Sequence, residues 1–414
     1  REALLTAISD ENRPALHRDV AVAIETVYGD APEQAVILAA HWRMAGDSEK
    51  EYHVTKRAGE YALSISAYGE AVSAFERAMT LLPDVLQGDT RSAQADLRIK
   101  IGTALVFSGN FVSATKQLEA GLILCRQIGD RAAMAQALIQ LGNSAYRLPA
   151  FDLTERYCHE ALQLCLELKD YRGAAQALNR LGAVYKDMGQ PDKAAQYLKQ
   201  SLEYARAADD RQGIAVVLGN LAIVARHQRD YASSSLYQNE SLALYQALGD
   251  RQGLTFVLMT NFGFLAQDQG DYSQAEHYFQ EALELARSMG ARFWITLGLM
   301  SLGRAVVGQG DVERGRAYFL QGLRMAYEVN SAGLMIENVI GLAGLESDKS
   351  RALRWVGMCQ HDSRTYQEAR MIAVPIFEKL KSAFSPEEVE NLISEGQSLD
   401  LYVVAREILQ LPSD

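Results

Sequence analysis

Residues 181–201 read Leu181-Gly182-Ala183-Val184-Tyr185-Lys186-Asp187-Met188-Gly189-Gln190-Pro191-Asp192-Lys193-Ala194-Ala195-Gln196-Tyr197-Leu198-Lys199-Gln200-Ser201, and this stretch decides the fold. Its glycine returns about every 40 residues, as Gly102, Gly142, Gly182, Gly263 and Gly303, with Ala222 in the missing place. About seven residues later comes a turn signal, in Gly109-Asn110-Phe111, Gly189-Gln190-Pro191, Arg229-Asp230-Tyr231, Gly270-Asp271-Tyr272 and Gly310-Asp311-Val312. A third mark separates the units, in Gly129-Asp130-Arg131, Lys169-Asp170-Tyr171, Asp209-Asp210-Arg211 and Gly249-Asp250-Arg251. Three marks held in one phase define a protein of stacked repeats.

Each mark has a physical meaning. In Gly249-Asp250 the glycine suits the left-handed conformation that ends a helix, and the aspartate accepts the free N–H groups that begin the next. A glycine inside a helix costs roughly 1 kcal/mol against alanine, so its recurrence implies a return from close packing. Twelve residues on stand Ala114, Thr154, Ala194, Ser234, Ala275 and Gly315, and nineteen on stand Gly121, Ala161, Ser201, Ser241, Ala282 and Gly322. The expectation is a pair of antiparallel helices in which small residues face small residues.

The unit Leu181-Gly182 with Tyr185, Ala194, Leu198 and Ser201, repeated in Gly263 with Ala275, Phe279 and Ala282, resembles the tetratricopeptide repeat. The resemblance spans about residues 60–345 and implies an all-α, right-handed superhelix, with helices longer than usual because the period exceeds the common 34. Tetratricopeptide repeats of this length occur in bacterial regulators.

Residues at both ends extend the resemblance. Arg1-Glu2-Ala3-Leu4-Leu5, Arg13, Leu16-His17, Val20-Ala21, Ile24-Glu25 and then Leu38-Ala39-Ala40-His41-Trp42-Arg43-Met44-Ala45-Gly46-Asp47 look like the junction after the ATPase module of signal-transduction ATPases with numerous domains. Ala58-Gly59-Glu60-Tyr61-Ala62, Ala67-Tyr68-Gly69-Glu70-Ala71 and Phe75-Glu76-Arg77-Ala78 carry it into the repeats. Toward the other end, Arg351–Gly357, Tyr366, Phe384 with Glu387, Glu395–Leu399 and Val403-Val404 look like the closing helices of large LuxR-type regulators. The resemblance implies a helical junction at residues 1–58 that follows an ATPase or winged-helix module absent from this sequence, a superhelix at 59–345 and a helical cap at 346–414. ATP is expected only in that absent module, and no cofactor in this segment.

Composition narrows the classes. The 414 residues are 48% hydrophobic, contain only eight prolines and carry a net charge of −11. A solenoid buries a continuous core through neighbour contacts, so this length does not count globular domains. No apolar run is long enough to span a bilayer and no secretory leader is visible, which makes the cytoplasm the expected location and excludes a membrane partner. The acidic balance argues against nucleic acid as a direct partner, since phosphates need clustered cations.

Chemistry-bearing motifs are missing. No Gly-x-x-x-x-Gly-Lys-[Ser/Thr] loop, His-Glu-x-x-His, Gly-x-Ser-x-Gly or Cys-x-x-Cys pair occurs, so the chain is expected not to be an enzyme and to hold no metal. Cys125 and Cys165, 40 residues apart, read as packing residues at one repeat position. His17 and His41 read as packing or capping groups, and Tyr157, Tyr197, Tyr237, Tyr278 and Tyr318 as rings packed over the core with hydroxyls outward.

In a superhelix of this type the first helix of each pair lines the concave face. Asn220 and Asn261 each stand two residues before the glycine position, where stacked amides can bond the backbone of an extended peptide. Asn179, Lys186, Arg226, His227, Gln267 and Arg304 share that groove, and Tyr146 and Arg147 close its earlier end. The set is mildly cationic, which suits an acidic peptide or a carboxylate. The expected function is a non-catalytic sensor arm that binds a protein or peptide inducer and restrains an attached ATPase module. The alternative is a free-standing adaptor that scaffolds protein partners.

Overall fold

The computed structural model describes residues 12–412 apart from Pro149 and Tyr366, with the backbone alone for Gln367 and Glu368. The Arg1-Glu2-Ala3-Leu4-Leu5 motif and Tyr366 lie outside the described residues. The helices are α1 (Arg13–Tyr28), α2 (Ala35–Ala45), α3 (Ser48–Ser64), α4 (Tyr68–Val85), α5 (Arg91–Phe107), α6 (Phe111–Ile128), α7 (Arg131–Arg147), α8 (Phe151–Leu168), α9 (Tyr171–Asp187), α10 (Pro191–Ala207), α11 (Arg211–His227) and α12 (Tyr231–Leu248). They continue as α13 (Arg251–Phe256), a π-helical segment (Val257–Gly263), α14 (Phe264–Asp268), α15 (Tyr272–Ser288), α16 (Arg292–Gly308), α17 (Val312–Glu328), α18 (Ala332–Ala343), α19 (Lys349–His361), α20 (Gln367–Lys381), α21 (Pro386–Gln397) and α22 (Leu401–Leu409). No strand occurs among the described residues. Two compact units divide the chain inside α9, Arg1–Leu181 and Gly182–Asp414, within the stretch that the repeat register treats as continuous.

The joints form as their residues dictate. Asp130, Asp170, Asp210 and Asp250 accept hydrogen bonds from the N–H groups of Ala133, Gly173, Gly213 and Gly253, so each leading helix starts on its own carboxylate. Asn110, Asp230, Asp271 and Asp311 do the same for α6, α12, α15 and α17. Gly249 takes φ 64° to close α12, whereas Lys169 and Asp209 reach φ 58° and 49° at the same joint despite their side chains.

The recurring glycine makes room for something larger than a small residue. A Cβ on Gly182 would lie 2.6 Å from Leu198, on Gly142 2.6 Å from Cys158, on Gly263 2.2 Å from Phe279 and on Gly303 2.8 Å from Phe319. The glycine thus clears the side chain sixteen residues later and also meets the small position twelve on, as expected: a Cβ on Gly102 or Gly182 would lie 3.3 Å from the carbonyl oxygen of Ala114 or Ala194. Two of the small residues also bond the facing backbone: Ser234 Oγ donates to the Ala222 carbonyl at 2.9 Å, and Ser241 Oγ to the Ala215 carbonyl at 2.8 Å. Where Ala222 replaces the glycine, the residue sixteen on is Gln238, not an aromatic or leucine.

From Arg91 onward the period contains one irregularity. Leading helices begin at Arg91, Arg131, Tyr171, Arg211, Arg251, Arg292 and Ala332, so every step is 40 residues except the 41 between Arg251 and Arg292. Both ends of this longer helical run are pinned, since a Cβ on Gly253 would strike the Tyr245 ring at 2.1 Å and one on Gly263 the Phe279 ring at 2.2 Å. The extra residue cannot be pushed out at either end and is absorbed as the π turn at Val257–Gly263.

In the first unit, α1 and α2 pack Ala21, Leu38 and Trp42 onto Val54 and Ala58 of α3. His17 and His41 meet there, Nδ1 to Nδ1 at 3.0 Å. In the second unit, α19 and α21 cross at backbone contact: a Cβ on Gly396 would lie 2.3 Å from the Arg354 carbonyl oxygen. Phe384 packs against the core of this end, Val404 is buried and Val403 is exposed.

Candidate ligand-binding face of the leading helices

A leading helix is covered on more sides than a trailing one. Helix α11 buries Ala215, Val217, Leu218, Gly219 and every residue from Leu221 to Arg226, whereas α12 buries only Ser234, Gln238, Ser241 and Tyr245. Polar side chains on leading helices therefore sit in short supply and mostly half-buried. This gives each of them more electrostatic weight than a solvated surface group has.

The second unit gathers such groups around the Phe264 ring. The Arg226 guanidinium lies 5.6 Å from the ring centre and the Arg304 guanidinium 5.0 Å, so two cations from α11 and α16 flank one aromatic of α14. Arg226 Nη1 donates to Asp268 Oδ2 at 2.6 Å, and its Nη2 approaches His227 Nε2 at 3.2 Å. Arg304 approaches Glu337 of α18 only to 3.8 Å, beyond hydrogen-bond range. The Phe264 ring itself rests edge-on against Phe279, which fixes its plane.

The residues expected in the groove fall into separate places. Arg226 and Arg304 do come together around Phe264, with His227 beside Arg226, while Gln267 stands half-buried one turn along α14. Asn261 does not reach the surface: it is 2% exposed, lies in the π turn, and donates its amide to the Gly219 carbonyl at 3.4 Å. Its place in the π turn commits it to bridging two leading helices, which corrects its expected role as a peptide contact. Arg226 is likewise 7% exposed and already paired, so it presents charge more than open surface. Asn220 is half-buried, and Lys186 pairs with its neighbour Asp187 at 2.8 Å.

Tyr146, Arg147 and Asn179 belong to the first unit. There the Arg180 guanidinium stacks 4.6 Å from the Tyr146 ring centre while its Nε donates to Asn143 Oδ1 at 2.9 Å. Arg147 is exposed and 6.0 Å from the same ring, and Asn179 is half-buried.

Phe264, Asp268 and Glu337 were missed by the sequence reading. Phe264 immediately follows the register glycine, where Ala183 and Ile223 stand in preceding repeats, and that change of size is the signal that would have found it. Of the tyrosines, Tyr157 sends its hydroxyl to Glu119 at 3.2 Å and Tyr197 stacks its ring on Tyr185 at 5.3 Å.

The cysteines are free and buried, and burial pushes the thiols of Cys158 and Cys165 up to about 12. They are inert packing groups. Among the described residues no cluster of three His, Cys, Asp or Glu side chains could hold a metal, and no helix is long and apolar enough to cross a membrane.

The tetratricopeptide repeat family model matches residues 133–207 and 213–288. No curated protein matches the sequence. Among solved structures, a Rap protein complexed with Competence and Sporulation Factor is similar at a TM-score of 0.57 and 14% identity, covering 94% of this chain and 100% of that one. The Rap conjugation gene regulator of plasmid pLS20, in complex with the Phr* peptide, aligns at a TM-score of 0.57 and 13% identity over 70% of this chain and 76% of its own. A signal-transduction ATPase with numerous domains that carries a tetratricopeptide repeat sensor, from Pyrococcus horikoshii, aligns at 0.52 and 16% identity over 90% of this chain and 56% of its own. At these identities the likeness is one of fold: the chain is an all-α stack of tetratricopeptide-like helix pairs.

Proposed function

We propose that this chain is a non-catalytic sensor that binds an acidic peptide or protein segment on the leading helices of its second unit. The observation that carries the reading is the pair of arginines, Arg226 buried and Arg304 half-buried, flanking Phe264. Charges in a site of low dielectric attract an anionic ligand more strongly than exposed ones do, and the aromatic offers an apolar floor for the neighbouring side chain. That a similar fold has been solved with the Phr* peptide supports a peptide as the ligand class.

The test uses two fluorescein-labelled pools of degenerate heptapeptides, one with Glu and one with Gln fixed at the centre. The wild-type chain is expected to bind the Glu pool more tightly in fluorescence polarisation. Arg226→Gln should weaken that binding about fivefold to tenfold while circular dichroism stays unchanged. Equal binding by wild type and variant would move recognition off this face and favour the adaptor reading.

The finer proposal is that the inducer acts on an attached ATPase module in the cytoplasm, with the junction helices near residues 13–28 as the connection. A ligand shifts such an equilibrium only by its differential affinity for the two states. In a longer protein carrying that module, removal of this arm should accelerate nucleotide exchange; an unchanged rate would refute autoinhibition.

A further inference from the structure

The two arginines beside Phe264 are not equally satisfied. The difference lies at the terminal nitrogens: Arg226 Nη1 is at hydrogen-bond distance from Asp268, whereas Arg304, with its side chain 13% exposed, brings Nη1 only to 3.8 Å from Glu337. The buried Nε of Arg304 has no hydrogen-bond partner among the described residues. Two further buried polar atoms on the same two helices also lack partners among the described residues: Ser301 Oγ, one turn before Arg304 on α16, and Gln267 Oε1, one turn after Phe264 on α14. A buried donor or acceptor left unmade forfeits its hydration with no return, so orphans gathered on two neighbouring helices call for a shared explanation. Arg304 Nε and Ser301 Oγ can donate, and Gln267 Oε1 can only accept. Ser301 is 0% exposed and out of a ligand's reach; complementing Arg304 and Gln267 takes a ligand with a carboxylate and a donor close by, which is the chemistry of an acidic residue in an extended peptide with its main-chain N–H.

We propose that Arg304 receives a carboxylate of the bound peptide in exchange for Glu337, while Gln267 accepts the adjoining main-chain N–H. This rests on the acidic-peptide reading of the same face. Glu337 supplies the Coulomb attraction that keeps Arg304 from being an uncompensated buried charge, but at 3.8 Å it does not give Arg304 the charge-assisted hydrogen bonds of a fork-shaped contact. It is a built-in competitor: an internal carboxylate that holds the site closed to weak anions and yields to a ligand that offers the better geometry.

The experiment titrates the same Glu-centred and Gln-centred heptapeptide pools against Glu337→Gln. Removing the competitor is expected to tighten the Glu pool about tenfold and leave the Gln pool unchanged. The thermal midpoint of this variant should fall without peptide and recover with the Glu pool. An equal shift for both pools, no shift, or weaker Glu-pool binding would overturn the exchange. Arg304→Gln gives an independent reading: it should erase the preference for the Glu pool, and a preserved preference overturns the assignment even if Glu337→Gln fails to fold. If wild type discriminates the pools and Arg226→Gln abolishes this, yet Glu337→Gln changes nothing, only the exchange falls. If neither pool binds wild type, the acidic-peptide reading falls with it.

Discussion

Gly263 and Glu51 show how single residues carry this fold. Gly263→Ala would drive a methyl into the Phe279 ring, which is wedged between helices with no room to retreat; a loss of about 1–3 kcal/mol in urea unfolding is the expected result. Glu51, buried in α3, takes hydrogen bonds from Arg77 Nε at 2.7 Å and Arg43 Nε at 2.9 Å. Burial pushes its carboxyl up, but the hydrogen bonds and charges of Arg77 and Arg43 outweigh burial and hold it below the ordinary carboxylate value. A lowered folded-state value means the stabilisation is complete above the unfolded value and is lost as pH falls through the folded one. Thermal unfolding should therefore show an acid-side decline that Glu51→Gln flattens, with the variant about 2 kcal/mol less stable near neutrality. The register glycines were legible in the sequence because only a shared steric demand keeps glycine in helix after helix. What they clear was not, because the partner sixteen residues on varies among Leu198, Cys158 and Phe279, and no single residue type marks it.

The element that departs from its siblings is the run from Arg251 to Asp268. Each residue of an α-helix turns the chain by about 100°, so a regular helix with one residue more would rotate either Gly253 or Gly263 out of its aromatic contact. The π turn takes up that rotation locally. Deleting Thr260 should consequently restore a regular helix, leaving helicity and thermal midpoint close to wild type, whereas deleting Val217 from α11, which has no such turn to lose, should collapse the second unit. Circular dichroism melts of the two deletions make the comparison, and equal damage would mean that the π turn has no role in keeping phase. This is also where the sequence reading of the site went furthest astray. Asn220 and Asn261 share a register position, yet a position in a repeat predicts a direction only while the helix is regular, and Asn261 sits in the irregular turn, bonded to Gly219. Arg226 and Arg304 were legible as cations of one face; Asp268 and Glu337, which stand opposite them, were not, since pairs 42 and 33 residues apart leave no local signal.

On the scale of the whole molecule, leading and trailing helices differ in how they are covered, and protection from solvent should follow. Within the second unit, amides of α11 and α16 are expected to exchange with deuterium more slowly than those of α12 and α17, because opening a leading helix exposes two neighbours and opening a trailing one exposes fewer. Matched exchange rates in the two sets would show that each pair opens as a block. The Asp-capped joints have a further consequence for engineering. Asp210 and Asp250 end successive units with the same bond to the third N–H beyond, so residues 211–250 form a cassette with identical sockets at both ends. A duplicate of it spliced after Asp250 would meet, at each new seam, a surface that the chain already presents elsewhere to a homologous partner, and the array would lengthen by one unit without a new interface having to be invented.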